Sequence, residues 1–286
     1  MLRMDTPAAS PSLGFDARGG LGAGAPVGIP PRNKKRPFWP TIPSVDLQQG
    51  PVVQVRQTRE RVLTMSLAEL RPLHLANAYP AREPRNYKGR RPTSGGYWSS
   101  TMRDLVWYES RLERETVLLA DFDPTVVQIV SQPCRLTVLI DGKRRSHTPD
   151  YALIRSAISL EIINCKPRDF VDDPKNLELH SWVGAAFRQS GVKHSVVSEL
   201  PTATAANLAA LASTRNPRWT AGLPLDLVLA ACTDEISIGD LVQTLEASLP
   251  RFATLACVRA LLWRRVLETD LTKALSNQST LRFTNA

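Results

Sequence analysis

Cysteine is sparse in this chain, and no long apolar run occurs. Cys134, Cys165, Cys232 and Cys257 stand far apart with no C-x-x-C pair. That argues against a zinc site or a disulfide framework and for reduced, buried thiols. No stretch reaches the roughly 18 apolar residues of a membrane span, so no membrane is expected among its partners. Met1-Leu2-Arg3 leads into proline, glycine and alanine rather than an apolar core. A secretory signal is therefore not expected, and the expected compartment is a prokaryotic cytoplasm. No internal repeat is visible.

What is abundant is positive charge. The 286 residues carry 36 Lys+Arg against 27 Asp+Glu, a formal net charge of +9, which favours polyanionic partners through counterion release. The length allows a proper core and suggests two folded domains plus a tail. Residues 1–50 read as a disordered Pro/Gly-rich tail with a basic knot at Arg32, Lys34, Lys35 and Arg36. Residues 51–84 have no clear assignment, with some helix plausible over 64–73. In the region 85–200, Lys88, Arg90 and Arg91 precede Tyr97 and Trp98, a basic loop with aromatics suited to DNA.

Within 85–200 the spacing of Leu105, Tyr108, Leu112, Thr116 and Leu119 predicts a helix over 101–120, with Thr101 and Asp104 as a capping box. Strands are expected over 135–140, 149–154 and 160–166, with Asp141-Gly142 as a turn between the first two. Asp173-Pro174 starts a helix that Gly191 ends, and 194–198 is a further strand. The crossover from Lys166 to His194 suits a parallel pairing, so the fold class is α/β, a mixed sheet flanked by helices. Residues 201–222 read as an Ala/Thr-rich linker. Residues 223–286 read as a small unit of three helices, over 225–232, 237–248 and 252–268, and a hairpin near 281–283, which suggests a winged helix. Arg251, Arg259, Arg264 and Arg265 are expected on its third helix, as DNA contacts or a docking surface. This unit is expected to be removable without unfolding the rest.

The chemistry concentrates in Thr148-Pro149-Asp150-Tyr151 and Ile162-Ile163-Asn164-Cys165-Lys166. A carboxylate ends one strand, and the next carries Asn164 and Lys166 two residues apart on one face. Glu109 and Glu113, four residues apart, offer a second carboxylate from the upstream helix. Hard divalent ions take oxygen ligands, and a nearby ammonium can hold the attacking water or the phosphate. In this reading Asp150 and Glu113 bind Mg²⁺ (or Mn²⁺), Asn164 adds a side-chain oxygen, the Ile163 or Cys165 backbone carbonyl adds another, and Lys166 serves the water or phosphate. Each residue taken alone is as well explained as a turn, a strand end or an exposed charge.

The ordered set Tyr108-Glu109-Ser110-Arg111-Leu112-Glu113-Arg114, Asp121-Phe122-Asp123-Pro124, Ser131-Gln132-Pro133 and His147-Thr148-Pro149-Asp150 resembles the TnsA family. Those are transposon-encoded endonuclease subunits with a restriction-endonuclease-like (PD-(D/E)xK) fold and a winged-helix-like C-terminal domain. The resemblance spans about two fifths of the chain, residues 87–197. It implies that Glu113 rather than Glu109 is the catalytic acid, and that Asp150, Asn164 and Lys166 complete the set. It also implies double-stranded DNA at transposon ends as substrate, a DDE-type TnsB-like transposase and a TnsC-like AAA+ regulator as partners, and hydrolysis at the 5′ ends of the element. Gln132 carries the motif without an obvious ligand role and reads as structural, and His147 as either a phosphate contact or a cap. Two other readings stay open: a DNA- or partner-binding subunit with little or no activity, and a stand-alone restriction endonuclease.

Overall fold

A computed structural model describes residues 39–82, 93–233 and 235–284. The basic knot at Arg32–Arg36 and the loop residues Lys88, Arg90 and Arg91 lie outside them. The end of the expected tail is folded. Pro43 leads into α1 (Ser44–Gln49), and Ile42 and Leu47 are buried with Val52 in a small cluster of their own. The Arg135 guanidinium lies 5.6 Å over the Trp39 ring, and Gln54 donates to the Pro40 carbonyl at 2.7 Å. Apolar side chains at 42, 47 and 52 gain cover here that a linear reading could not assign.

The helix expected over 64–73 is mostly something else. β1 (Val52–Arg56) pairs antiparallel with β2 (Val62–Ser66), Gln54 facing Thr64 and Val53 facing Met65. Ser66 and Glu69 form a capping box on a single 3₁₀ turn, and Pro72 opens the short α2 (Pro72–Leu75). Pairing with a wholly buried β1 outweighs the modest helix propensity of this stretch.

The helix expected over 101–120 starts ten residues late. β3 (Gly95–Ser99) and β4 (Asp104–Tyr108) form an antiparallel pair, so Leu105 and Tyr108 belong to a strand. The helix is α3 (Arg111–Phe122), capped by Ser110, whose hydroxyl accepts from the Glu113 N–H. Val106-Trp107-Tyr108 is β-branched and aromatic, which favours a strand. Asp121 secures the hairpin to the helix. Its buried carboxylate accepts from Ser99 Oγ at 2.6 Å, Thr101 N at 2.8 Å, and Tyr97 Oη and Ser100 N at 3.0 Å.

β5 (Val126–Ser131) and β6 (Arg135–Ile140) follow. Asp141-Gly142 is the expected turn, both residues at positive φ, but it leads into an additional strand, β7 (Lys143–His147), before β8 (Tyr151–Arg155) and β9 (Leu160–Cys165). Asp173 caps α4 (Pro174–Gln189) as expected, and β10 (Lys193–Val197) lies parallel to β9. The strands form two four-stranded sheets, β10-β9-β8-β5 and β2-β1-β6-β7. Alternation in β8 and β9 gives the first sheet two apolar faces. Tyr151, Leu153 and Ile163 pack with α3, while Ala152, Ile154 and Ile162 pack with β1, β6 and α4.

The stretch expected as a linker folds into α5 (Thr202–Leu211) and α6 (Pro217–Thr220), with Leu208, Leu211 and Ala212 buried. Then come α7 (Leu225–Ala231), β11 (Ile236–Ser237), α8 (Ile238–Leu245), α9 (Arg251–Trp263), β12 (Leu267–Glu268) and β13 (Thr280–Phe283). β13 sits between β11 and β12. α9 ends five residues before the expected limit, where Arg265 takes a positive φ. Three of the four arginines expected to face a partner are engaged within the chain. Arg265 lies 4.9 Å over the Phe122 ring, Arg264 donates to Thr220 Oγ1 and Arg251 to Asn277. No helix among the described residues is long and apolar enough to cross a membrane.

One hydrophobic core runs from α3, β5 and β8 through α5 to α8 and α9. Trp263 is its joint. The ring lies 5.4 Å from that of Phe122, and its Nε1–H donates to Ser100 Oγ at 3.1 Å. This continuity predicts the opposite of a removable C-terminal unit. Trp263→Ala should cost about 3–5 kcal/mol in urea unfolding, and a chain ended at residue 221 should lack the cooperative transition of the full protein. A cooperative transition in that shortened chain would show that the core divides.

Candidate active site

Asp150 is held by its backbone before its side chain does anything. Its N–H donates to the Ile163 carbonyl at 3.1 Å and its carbonyl accepts from Gln132 N at 2.7 Å. The next residue, Tyr151, stands opposite Ile163 in the β8–β9 register. The carboxylate therefore reaches the Cys165 N–H, which donates to Oδ2 at 2.7 Å, and Oδ1 is left for the cleft. The side chain is 17% exposed. Burial raises its pKa above the ordinary value, opposed by the Cys165 N–H, Arg82 and Lys166, with Glu109 adding to the rise.

Glu113 comes from the other side of the sheet, in the first turn of α3. Its Oε2 accepts from the Glu109 N–H at 2.7 Å. One turn further, Cys165 Sγ donates to Thr116 Oγ1 at 3.3 Å, which ties the helix to the end of β9. Burial pushes the Glu113 pKa up to about 7, against the Glu109 N–H, with Asp150 and Glu109 adding to the rise. Glu109 precedes the helix instead of sharing its face, and it meets Arg82 at 3.8 Å. Both glutamates thus converge near Asp150, but only Glu113 is on α3.

Asn164 and Lys166 emerge on the α4 face, as alternation requires. Asn164, 3% exposed, has both ends of its amide engaged. Nδ2 donates to His147 Nε2 at 2.7 Å, and Oδ1 accepts from His194 Nε2 at 3.0 Å. Burial, then the neighbouring His180, holds both rings down at about pKa 4. They are neutral partners that orient Asn164. His147 also meets the Trp182 ring edge-on at 6.3 Å, so its Nε2 is not open to a phosphate. Lys166 is anchored through its peptide, N–H to the Val197 carbonyl at 2.9 Å and carbonyl from Ser198 Oγ at 2.8 Å, and it lines the cleft.

That cleft has a volume of about 460 Å³, and Asp150, Asn164, Cys165 and Lys166 share it with residues the sequence did not single out: Arg82, Arg135 and His180. Arg82 lies 4.0 Å from Asp150 Oδ1. It follows a stretch without periodicity, and no spacing rule points to it. Both ring nitrogens of His180 are buried without a hydrogen-bond partner among the described residues. Gln132 does have the structural role expected of it: it joins the Arg82 segment to Asp150.

The donor set suits a hard cation. Burial raises the pKa of both partly buried carboxylates, that of Glu113 further through Asp150, and positive charge beside them would offset the rise. Among the described residues, no group of three or more His, Cys, Asp and Glu side chains is arranged to hold a metal. An ion here would rest on Asp150 and Glu113, with solvent and substrate oxygens completing its shell, as Mg²⁺ accepts. The Asn164 oxygen is already shared with His194, and the Ile163 carbonyl with the Asp150 N–H.

Two measurements check this electrostatic picture. Glu113 titrates at about 7 in the fold and at 4.5 without it. The native state therefore binds the extra proton between those values, and stability falls as pH rises through that window. Glu113→Gln should melt at a higher temperature than the wild type at pH 8, by roughly 1–3 kcal/mol of stability, and equally with it below pH 4.5. Asn164→Asp would face two neutral imidazoles with a carboxylate. Imidazole NMR should then find the His147 and His194 pKa values well above their present level of about 4; unmoved titrations would mean the amide does not bridge them. No family model and no curated protein matches the chain.

Proposed function

We propose that this protein is a Mg²⁺-dependent DNA endonuclease, with Mn²⁺ as an alternative ion, of the TnsA-like, restriction-endonuclease-like kind. Its reaction is hydrolysis of phosphodiester bonds at the 5′ ends of a mobile element. The observation that carries the reading is Asp150 and Lys166 at the ends of β8 and β9 in a cleft edged with cations, with Glu113 of α3 outside its lining but near enough for the charge of Asp150 to raise its pKa. A bound divalent ion would polarise a phosphate oxygen and acidify its water. Asp150 Oδ1 and the ionised Glu113 would hold such an ion. Lys166, fixed by its peptide, orients the water or offsets charge on the scissile phosphate as the P–O bond to the leaving 3′ oxygen breaks. The neutral histidines add no charge of their own to the α4 side of the cleft, where Lys166 emerges.

The succession α7, β11, α8, α9, β12, β13 has the order of a winged helix and supports that reading of the C-terminal part, as a surface for DNA or for a TnsB-like transposase and a TnsC-like AAA+ regulator. Commitment of Asn164 to two histidines favours a second reading, a DNA- or partner-binding subunit of low activity. Plasmid nicking by the purified protein in Mg²⁺ separates the two. Asp150→Ala and Lys166→Ala should each lower the nicking rate about 10²-fold or more. Equal nicking by the wild type and Asp150→Ala would remove the enzyme reading.

A further inference from the structure

Arg82 is held in an unusual way for a surface arginine. Its N–H donates to Gln132 Oε1 at 3.0 Å, and the preceding Ala81 N–H donates to the Gln132 carbonyl at 2.8 Å. Gln132 is 3% exposed, adopts φ 45° and gives its own N–H to the Asp150 carbonyl at 2.7 Å. A non-glycine residue in the left-handed region is disfavoured by roughly 1–2 kcal/mol. The fold accepts that cost at a buried glutamine whose bonds set Arg82 and Asp150 in register.

The arginine side chain, by contrast, is loosely held. It is 45% exposed and touches Glu109 at 3.8 Å and Asp150 Oδ1 at 4.0 Å, both longer than a hydrogen bond. Among the described residues its side chain makes no hydrogen bond. A fixed backbone with a free guanidinium suits a group that changes partners. Oδ1 is the oxygen of Asp150 that Cys165 leaves open, so a divalent ion and Arg82 need the same atom, and their charges repel. Arg135 and Lys166 line the same cleft, so an anion there would meet a guanidinium displaced from the carboxylates.

We propose that Arg82 is a displaceable counter-charge of this site, a guanidinium that rests on Asp150 and Glu109 without a divalent ion and moves to a backbone phosphate of the DNA once the ion is bound. This rests on the endonuclease reading. Arginine suits the second role because its planar fork meets phosphate bidentately. Gln132 is a positioning residue for it.

The test uses the full chain and reads binding rather than cleavage. Mn²⁺ affinity is measured by electron paramagnetic resonance without DNA, and duplex DNA affinity in Ca²⁺ across a salt series. Arg82→Gln should bind Mn²⁺ roughly tenfold more tightly, since a unit charge about 4–5 Å from a divalent ion is removed. The same variant should bind DNA more weakly, with a salt dependence shallower by about one phosphate contact. Arg82→Lys, which keeps the charge, should stay near the wild type in Mn²⁺ affinity and lose part of the DNA affinity. Unchanged or weaker Mn²⁺ binding by Arg82→Gln overturns the counter-charge role, and an unchanged DNA salt slope overturns the phosphate role. A wild type that binds Mn²⁺ no better than Asp150→Ala instead removes the metal site itself, and the endonuclease reading with it.

Discussion

The pairing of β8 with β9 is the constraint on which the site depends. With Tyr151 opposite Ile163, the residue before the first strand meets the N–H of the residue that ends the second, and Asp150 receives the Cys165 hydrogen bond. A slip of one residue would turn Tyr151 and Ile163 from the α3 side to the α4 side and take Asp150 away from the Cys165 N–H and the cleft. Apolar packing on both faces of this sheet resists that slip, because each face has its own core. The register thus locks three things together: the open oxygen of Asp150, the α3 side where Cys165 meets Thr116, and the α4 side where Asn164 and Lys166 emerge.

Around this line the two faces of the sheet are electrically different. On the α3 side Glu113 is partly buried, and burial, with Asp150 and Glu109 adding to it, lifts its pKa to about 7. On the α4 side, buried histidines are held neutral, two of them joined through one amide. Burial acts in opposite directions on acids and bases, and in both cases it disfavours the charged form. The cleft between the faces is left with the charge of Arg82, Arg135 and Lys166. Cations at the rim and oxygen donors within suit a polyanion that has to meet a hard cation.

α3 can present Glu113 only because its far end is fixed. Asp121 gathers four hydrogen bonds from the β3 hairpin and the turn after it, and Phe122 stacks at a tilt on Trp263. The guanidinium of Arg265 covers the Phe122 ring, and Arg215 bridges back to the Trp98 carbonyl while lying over Tyr97. The C-terminal helices are therefore a wall of the core that holds α3, whatever else their outer surface contacts.

Much of this was legible along the chain. β6, β8, β9 and α4 announce themselves through short apolar runs, the Asp-Gly turn and the Asp-Pro helix start, because those signals act within a few residues of one another. Asp150 and Lys166 are read from their order on those elements, and the preference for Glu113 over Glu109 from the resemblance to the TnsA family. Where two local signals competed, distance decided. Leu105 and Tyr108 sit at helical spacing, yet β3 supplies a strand partner that helix propensity cannot oppose. Residues 201–222, Ala-rich and apparently idle, became helices once Leu208 and Leu211 had a core to enter. Arg82 and His194 had no local signature, and Gln132 and His147 stood in motifs that do not show their partners, since each acquires its role from a residue many positions away. The sequence by itself determined which strands and helix carry Asp150, Asn164, Lys166 and Glu113. Only the tertiary structure decided which oxygen of Asp150 is open, which cation rests beside it and whether Asn164 is free, because burial and long-range pairing set these and neither is written in neighbouring residues.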